Sequence, residues 1–100
     1  MSDLSCCDLN DFMAALADQT RQRILVRLRE REMSVNELSE NFVLTQPTIS
    51  HHLAILRRVN LVIPRRDGQF TFYRLNSDCV AECYRDTLDR FKISGRDAKK

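Results

Sequence analysis

Apolar residues recur at helical spacing along most of the chain and alternate in one late segment. Leu9, Phe12, Met13 and Leu16 share one face of a first helix, which Asp8 or Asn10 can cap and which runs to about Ala17. Asp18-Gln-Thr-Arg21 reads as a break. Thr20 opens a second helix with Ile24, Leu25 and Leu28 inward and Arg21, Gln22, Arg27, Arg29 and Arg31 largely in solvent. Ser34-Val-Asn-Glu37 has the form of a capping box, in which hydroxyl and carboxylate each satisfy the other residue's backbone N–H. A short third helix therefore begins there, with Val35, Leu38 and Phe42 inward. Thr45 is a good N-cap for a fourth helix, and Pro47 sits in its first turn, where no N–H is needed. Ile49, Leu53 and Leu56 form its buried stripe. Beyond Asn60, Leu61-Val62-Ile63 and residues 69–75 read as strands joined at Asp67-Gly68, where both residues tolerate positive φ. Ser77 or Asp78 starts a last helix to about Ile93, with Val80, Tyr84, Leu88 and Phe91 along one side and Gly95 able to end it.

The third and fourth helices are separated only by the tight connection Val43-Leu44-Thr45, which is the helix-turn-helix arrangement. Opposite its apolar stripe, the fourth helix carries Thr48, Ser50, His51, Ala54 and Arg58. Short polar groups near the start of such a helix reach base edges in the major groove, and arginines near its end reach phosphates. An ordinary amphipathic surface helix has the same pattern. The hairpin that follows favours DNA, because Arg65, Arg66 and Gln69 lie near its tip, as in a wing gripping backbone or minor groove.

Composition sharpens this picture without creating it. The chain has 100 residues, 43% hydrophobic and 30% charged, which fits one small globular domain. Its formal net charge of +2 is modest. The distribution is uneven: Arg57, Arg58, Arg65 and Arg66 cluster, whereas Asp3, Asp8, Asp11 and Asp18 lie at the front. A monomer of this size buries only ~60–70% of its chain surface, so a core shared with a second copy is favoured. The first and last helices each have an apolar face that the central motif does not need. A homodimer through them would set two reading helices ~34–36 Å apart on double-stranded DNA with dyad symmetry. The expected organisation is a flexible cysteine-containing lead over residues 1–9, a folded domain over 10–93 and a disordered tail over 94–100. No run of eighteen apolar residues exists, so no membrane partner is expected, and the front lacks the basic start and apolar core of a secretory signal. The expected compartment is the cytoplasm, with reduced thiols. Only Gly68 and Gly95 are glycine, so there is no Gly-rich phosphate loop. The two histidines are adjacent and no nucleophile–base–acid set stands out, so an enzyme is not expected.

Three stretches together resemble the ArsR/SmtB family of bacterial winged-helix repressors. They are residues 14–25 (Ala-Ala-Leu-Ala-Asp-Gln-Thr-Arg-Gln-Arg-Ile-Leu), Thr45-Gln-Pro-Thr-Ile-Ser-His-His-Leu53 with Leu56, and the wing from Asp67-Gly68 to Phe72-Tyr73-Arg74-Leu75. The likeness covers about residues 10–92 and is strongest to arsenic-responsive and SdpR-type members. It implies a mainly α, winged helix-turn-helix fold in the order α-α-α-α-β-β-α. It also implies an obligate homodimer on an operator of imperfect dyad symmetry, often released by a metal ion. Gln46, Thr48, Ser50 and His51 match the family's base-reading positions, and Arg57, Arg65 and Arg66 match plausible phosphate or minor-groove contacts. His52 lies beside the buried stripe and reads as a hydrogen-bonded packing residue.

The chain departs from the family at its known inducer sites. Where the arsenic-type site has Glu-Leu-Cys-Val-Cys, this chain has Glu32-Met33-Ser34-Val35-Asn36. The zinc-site positions hold Ser77, Cys79, Arg90 and Ile93, and the last two cannot ligate zinc. Four cysteines remain. Cys79 and Cys83, one helical turn apart, project from one face about 6 Å apart, and Cys6 and Cys7 are adjacent in the lead. Three or four thiolates would suit As(III), Cd(II), Pb(II) or Zn(II) as inducer, and no cofactor is otherwise required. The alternative is that the cysteines only pack. The protein would then be an autorepressor without a metal site, governed by a partner protein. Thiol oxidation is another possible signal, although Cys79 and Cys83 are poorly placed for a disulfide within one helix.

Overall fold

The computed structural model describes residues 8–92. Cys6, Cys7 and the tail 94–100 therefore lie outside the described residues. Helix α1 (Leu9–Leu16) is capped by Asp8, whose carboxylate accepts from Asn10 N at 2.9 Å. Helix α2 (Gln19–Glu30) begins earlier than Thr20. Asp18 is its N-cap, accepting from Thr20 N at 2.8 Å and Arg21 N at 3.1 Å, so the expected break is one capping residue. Helix α3 (Val35–Ser39) starts with the capping box: Ser34 Oγ accepts from Glu37 N at 3.1 Å, and Glu37 Oε1 accepts from Ser34 N at 2.9 Å. Helix α4 (Gln46–Arg58) is capped by Thr45, with Pro47 in its first turn.

The sheet has one strand more than the sequence pattern suggests. Strand β1 (Met33–Ser34) pairs antiparallel with β3 (Phe70–Leu75), which also pairs with β2 (Val62–Asp67). The strand order is β1-β3-β2. Two residues cannot display an alternating pattern, so β1 exists through its partner, Met33 facing Tyr73 and Ser34 facing Phe72. The hairpin turn also sits one residue later than expected. Asp67 still pairs with Phe70, leaving Gly68 and Gln69 as the central residues. Gly68 has φ of 64° and the only positive φ of the two, the arrangement in which a two-residue hairpin takes glycine first. The architecture is mainly helical with a small antiparallel sheet, a winged helix-turn-helix in the order α1-α2-β1-α3-α4-β2-β3 and then a last helix, α5 (Ser77–Phe91).

Ile24, Leu38, Ile49, Leu53, Leu56 and Leu61 are fully buried and join α2, α3 and α4 to the root of the wing. Each such side chain contributes ~1.5–3 kcal/mol by leaving water. Helix α4 ends in a Schellman motif. Asn60, with φ of 65°, donates its N–H to Arg57 O, and Leu61 N donates to Leu56 O, both at 2.9 Å. The Asn76 side chain then links this end to the last helix, donating to Asn60 O at 3.0 Å and accepting from Cys79 N at 3.3 Å.

Helix α5 (Ser77–Phe91) is therefore capped by Asn76, not by Ser77 or Asp78. Its inward face also differs from the expected one. Cys79 and Cys83 enter the core, with Val80 partly buried against it, while Tyr84 and Phe91 are 57% and 58% exposed. The row Val80, Tyr84, Leu88 and Phe91 thus leaves the protomer core as it runs along the helix.

Candidate nucleic-acid interface

Burial of Ile49, Leu53 and Leu56 turns the opposite side of α4 outward, exposing Gln46, Ser50, His51, Ala54, Arg57 and Arg58. Thr48 is half-buried, its hydroxyl 3.0 Å from Thr45 Oγ1, so it is held in the first turn beside the cap. Gln46 donates from Nε2 to Asn36 Oδ1, tying the start of α4 back to α3. Ser50 and His51 stand freest on this face. His52, its neighbour, is half-buried and accepts at Nδ1 from Arg21 Nη1 at 3.3 Å, because a guanidinium can only donate.

The wing presents its two arginines differently, since successive residues of a strand face opposite sides. Arg65 is paired. Its Nε and Nη2 donate to the two oxygens of Glu32 at 2.9 and 2.7 Å, and its Nη1 lies 3.7 Å from Asp67 Oδ2. The guanidinium carbon lies 5.1 Å from the centroid of the Phe72 ring beneath it. Hydrogen bonding from Arg65 holds the Glu32 carboxyl below the usual glutamate value, and the same bond pushes Arg65 further up. Arg66 is exposed, and no carboxylate among the described residues pairs with it.

An exposed helix with short hydrogen-bonding groups, set beside a basic hairpin, can read a groove and hold a backbone. The family model of the bacterial regulatory protein, arsR family, matches residues 18–63, from the cap of α2 through α4 into β2. The HTH-type transcriptional regulator KmtR of Mycobacterium tuberculosis is 42% identical over 95 residues, covering 95% of this chain and 73% of that protein. The transcriptional repressor SdpR of Bacillus subtilis is 38% identical over 74 residues, 74% of this chain and 82% of its own length. The solved structure of an ArsR-like transcriptional regulator from Rhodococcus sp. RHA1 superposes with a TM-score of 0.75 at 30% identity, covering 84% of this chain and 78% of that one. The chain belongs to the ArsR family. As a member it is a DNA-binding regulator of transcription and not an enzyme. No described helix is long and apolar enough to cross a membrane.

The thiols of this ArsR-family chain are less exposed than its arginines. Cys79 and Cys83 are 0% and 2% exposed, one turn apart on the inner face of α5. Among the described residues no three His, Cys, Asp or Glu side chains come together to hold a metal. Cys79 and Cys83 therefore offer two soft donors, and a fuller set would draw on Cys6 and Cys7. Three residues that shape the interface escaped the sequence reading: Glu32 on Arg65, Asn36 on Gln46 and Arg21 on His52. No short-range signal marks them, because each partner lies ten or more positions away in the chain.

Proposed function

We propose that the protein is a dimeric repressor that binds a double-stranded operator of dyad symmetry and lets go when a soft metal or metalloid occupies its cysteine thiolates. The observation that carries the DNA half is the shared exposure of Ser50 and His51 on α4 and Arg66 on the wing, which suits base reading with backbone anchoring. Gln46, Thr48 and Arg57 extend the contact along α4. Pairing through α1 and α5 is supported by the exposed Tyr84 and Phe91. Release by As(III), Cd(II), Pb(II) or Zn(II) is supported by chemistry and placement. Helix α1 directly follows Cys6-Cys7 and packs against α5, which carries Cys79 and Cys83. These four would hold the ion, which supplies a bond between lead and helix.

The depth of Cys79 and Cys83 favours a second reading, in which they only pack. The protein is then an autorepressor without a metal site, its signal a partner protein or thiol oxidation.

The test is fluorescence anisotropy of the reduced protein on its own upstream DNA, titrated with As(III), Cd(II), Pb(II) and Zn(II). Release by one of them, lost in Cys79→Ser and Cys83→Ser, supports the sensor. Tight, salt-dependent binding indifferent to all four leaves the repressor and removes the metal.

A further inference from the structure

Arg65 stands at a wing position from which a cation can reach a DNA phosphate, yet carboxylates already hold it. Two parallel N–H···O bonds to the paired oxygens of Glu32, at 2.9 and 2.7 Å, reproduce the fork with which arginine grips a phosphate. Asp67 Oδ2, 3.7 Å from Nη1, adds a second negative group. Glu32 comes from the connection between α2 and β1, and lies 33 positions before Arg65 in the chain.

We infer that Glu32 is a specificity-determining residue for DNA binding: its carboxylate takes the place of a phosphate on Arg65 and withholds that arginine from DNA of the wrong sequence. The inference rests on the reading that the wing lies along the DNA backbone. Binding to arbitrary DNA comes almost wholly from phosphate contacts, so each cation withheld weakens it directly. A correct operator has base contacts through Ser50 and His51 to seat the protein, and a phosphate then displaces Glu32. The exchange is feasible because the Arg65 and Glu32 side chains are 50% and 30% exposed, and a solvated pair is held only weakly. A glutamate carboxyl is ionised at neutral pH, and Arg65 lowers that of Glu32 further, so the carboxylate is available as the competing anion. The Phe72 ring keeps the guanidinium on the same side of the wing whichever anion it holds.

The experiment uses the full chain and two duplexes, its own upstream DNA and a shuffled copy, over a series of salt concentrations. Glu32→Gln is expected to tighten binding to the shuffled duplex about fivefold per protomer, the upper end for an exposed pair. It should steepen the salt slope by about 0.9 per arginine released. Affinity for the upstream duplex should rise less, so discrimination falls. Glu30→Gln, which removes an exposed carboxylate from α2, controls for net charge and should do much less. In an Arg65→Ala background Glu32→Gln should have no more effect than Glu30→Gln. An effect of Glu32→Gln that persists without Arg65, or an unchanged slope, overturns the proposal. Arg66→Ala separates the two levels. If it weakens binding while Glu32→Gln is inert, only the role of Glu32 fails. If Arg65→Ala and Arg66→Ala both leave affinity and slope unchanged, the wing does not hold the backbone and both readings fail.

Discussion

Arg21 on α2 donates from Nη1 to His52 Nδ1 on α4, 3.3 Å away, while its Nε and Nη2 donate to Ala15 O at 2.7 Å and Ala14 O at 3.3 Å. One guanidinium thus satisfies carbonyls at the end of α1 and touches the reading helix next to His51. The end of the proposed dimerisation helix and His52, the neighbour in sequence of the proposed base reader His51, are joined through one side chain.

Arg21→Ala should cost about 1–3 kcal/mol, since it takes the Arg21 donor from Ala15 O in a half-buried site, whereas Ala14 O keeps the N–H of Ala17. Urea denaturation of the purified protein measures this. Arg21→Lys restores a donor but not the fork, so its stability should fall between the two. A Lys variant as unstable as the Ala variant would mean that the planar fork is indispensable.

His51→Ala and Ser50→Ala should relax preference at one or two operator positions, by ~1–3 kcal/mol of discrimination at each, and leave the salt slope unchanged. Binding to a panel of single-base operator variants reads this out. Uniform loss at every position would show that these side chains do not read bases.

Acid should destabilise the fold through its caps. Hydrogen bonds from the backbone of Arg21 hold the Asp18 carboxyl below its ordinary value of 3.8, and the backbone of Ser34 holds Glu37 below 4.5. A carboxyl lowered in the folded state contributes stability that is fully present above those ordinary values and lost as pH falls through the folded ones. Asp18→Asn keeps an N-cap of similar quality but cannot titrate. Its urea midpoint should therefore decline less steeply than wild type below pH 3.8. An unchanged acid limb would remove Asp18 as a contributor.

Tyr84→Asp and Phe91→Asp each place a charge on the exposed side of α5 and should shift sedimentation equilibrium toward monomer. Affinity for a two-half-site operator should fall with the dimer, while a single half-site is bound as before. A dimer that survives both substitutions would place the interface on another face.

Much of this protein was legible along the chain because the interactions concerned span one helical turn. Ser34 meets Glu37, Thr45 meets Thr48, and Ile49, Leu53 and Leu56 repeat at helical spacing. The last cap and the hairpin turn are settled at longer range. Asn76, Ser77 and Asp78 are all competent caps, and Asn76 takes the role while also donating to Asn60 O from a distant turn. Asp67-Gly68 has the composition of a turn, yet Asp67 is the last paired residue of β2, because Phe70 lies opposite it.

The order of helices, the exposed polar face of α4 and the basic hairpin follow from the chain's own periodicity, its caps and a glycine at the turn. Packing between distant segments sets which arginine of the wing is paired with carboxylates, and turns Cys79 and Cys83 to the core but not Tyr84 and Phe91. The reason is range. A cap or an apolar stripe is set by neighbours within a turn, whereas the partner of Arg65 and the direction of α5's faces depend on which distant segments pack alongside.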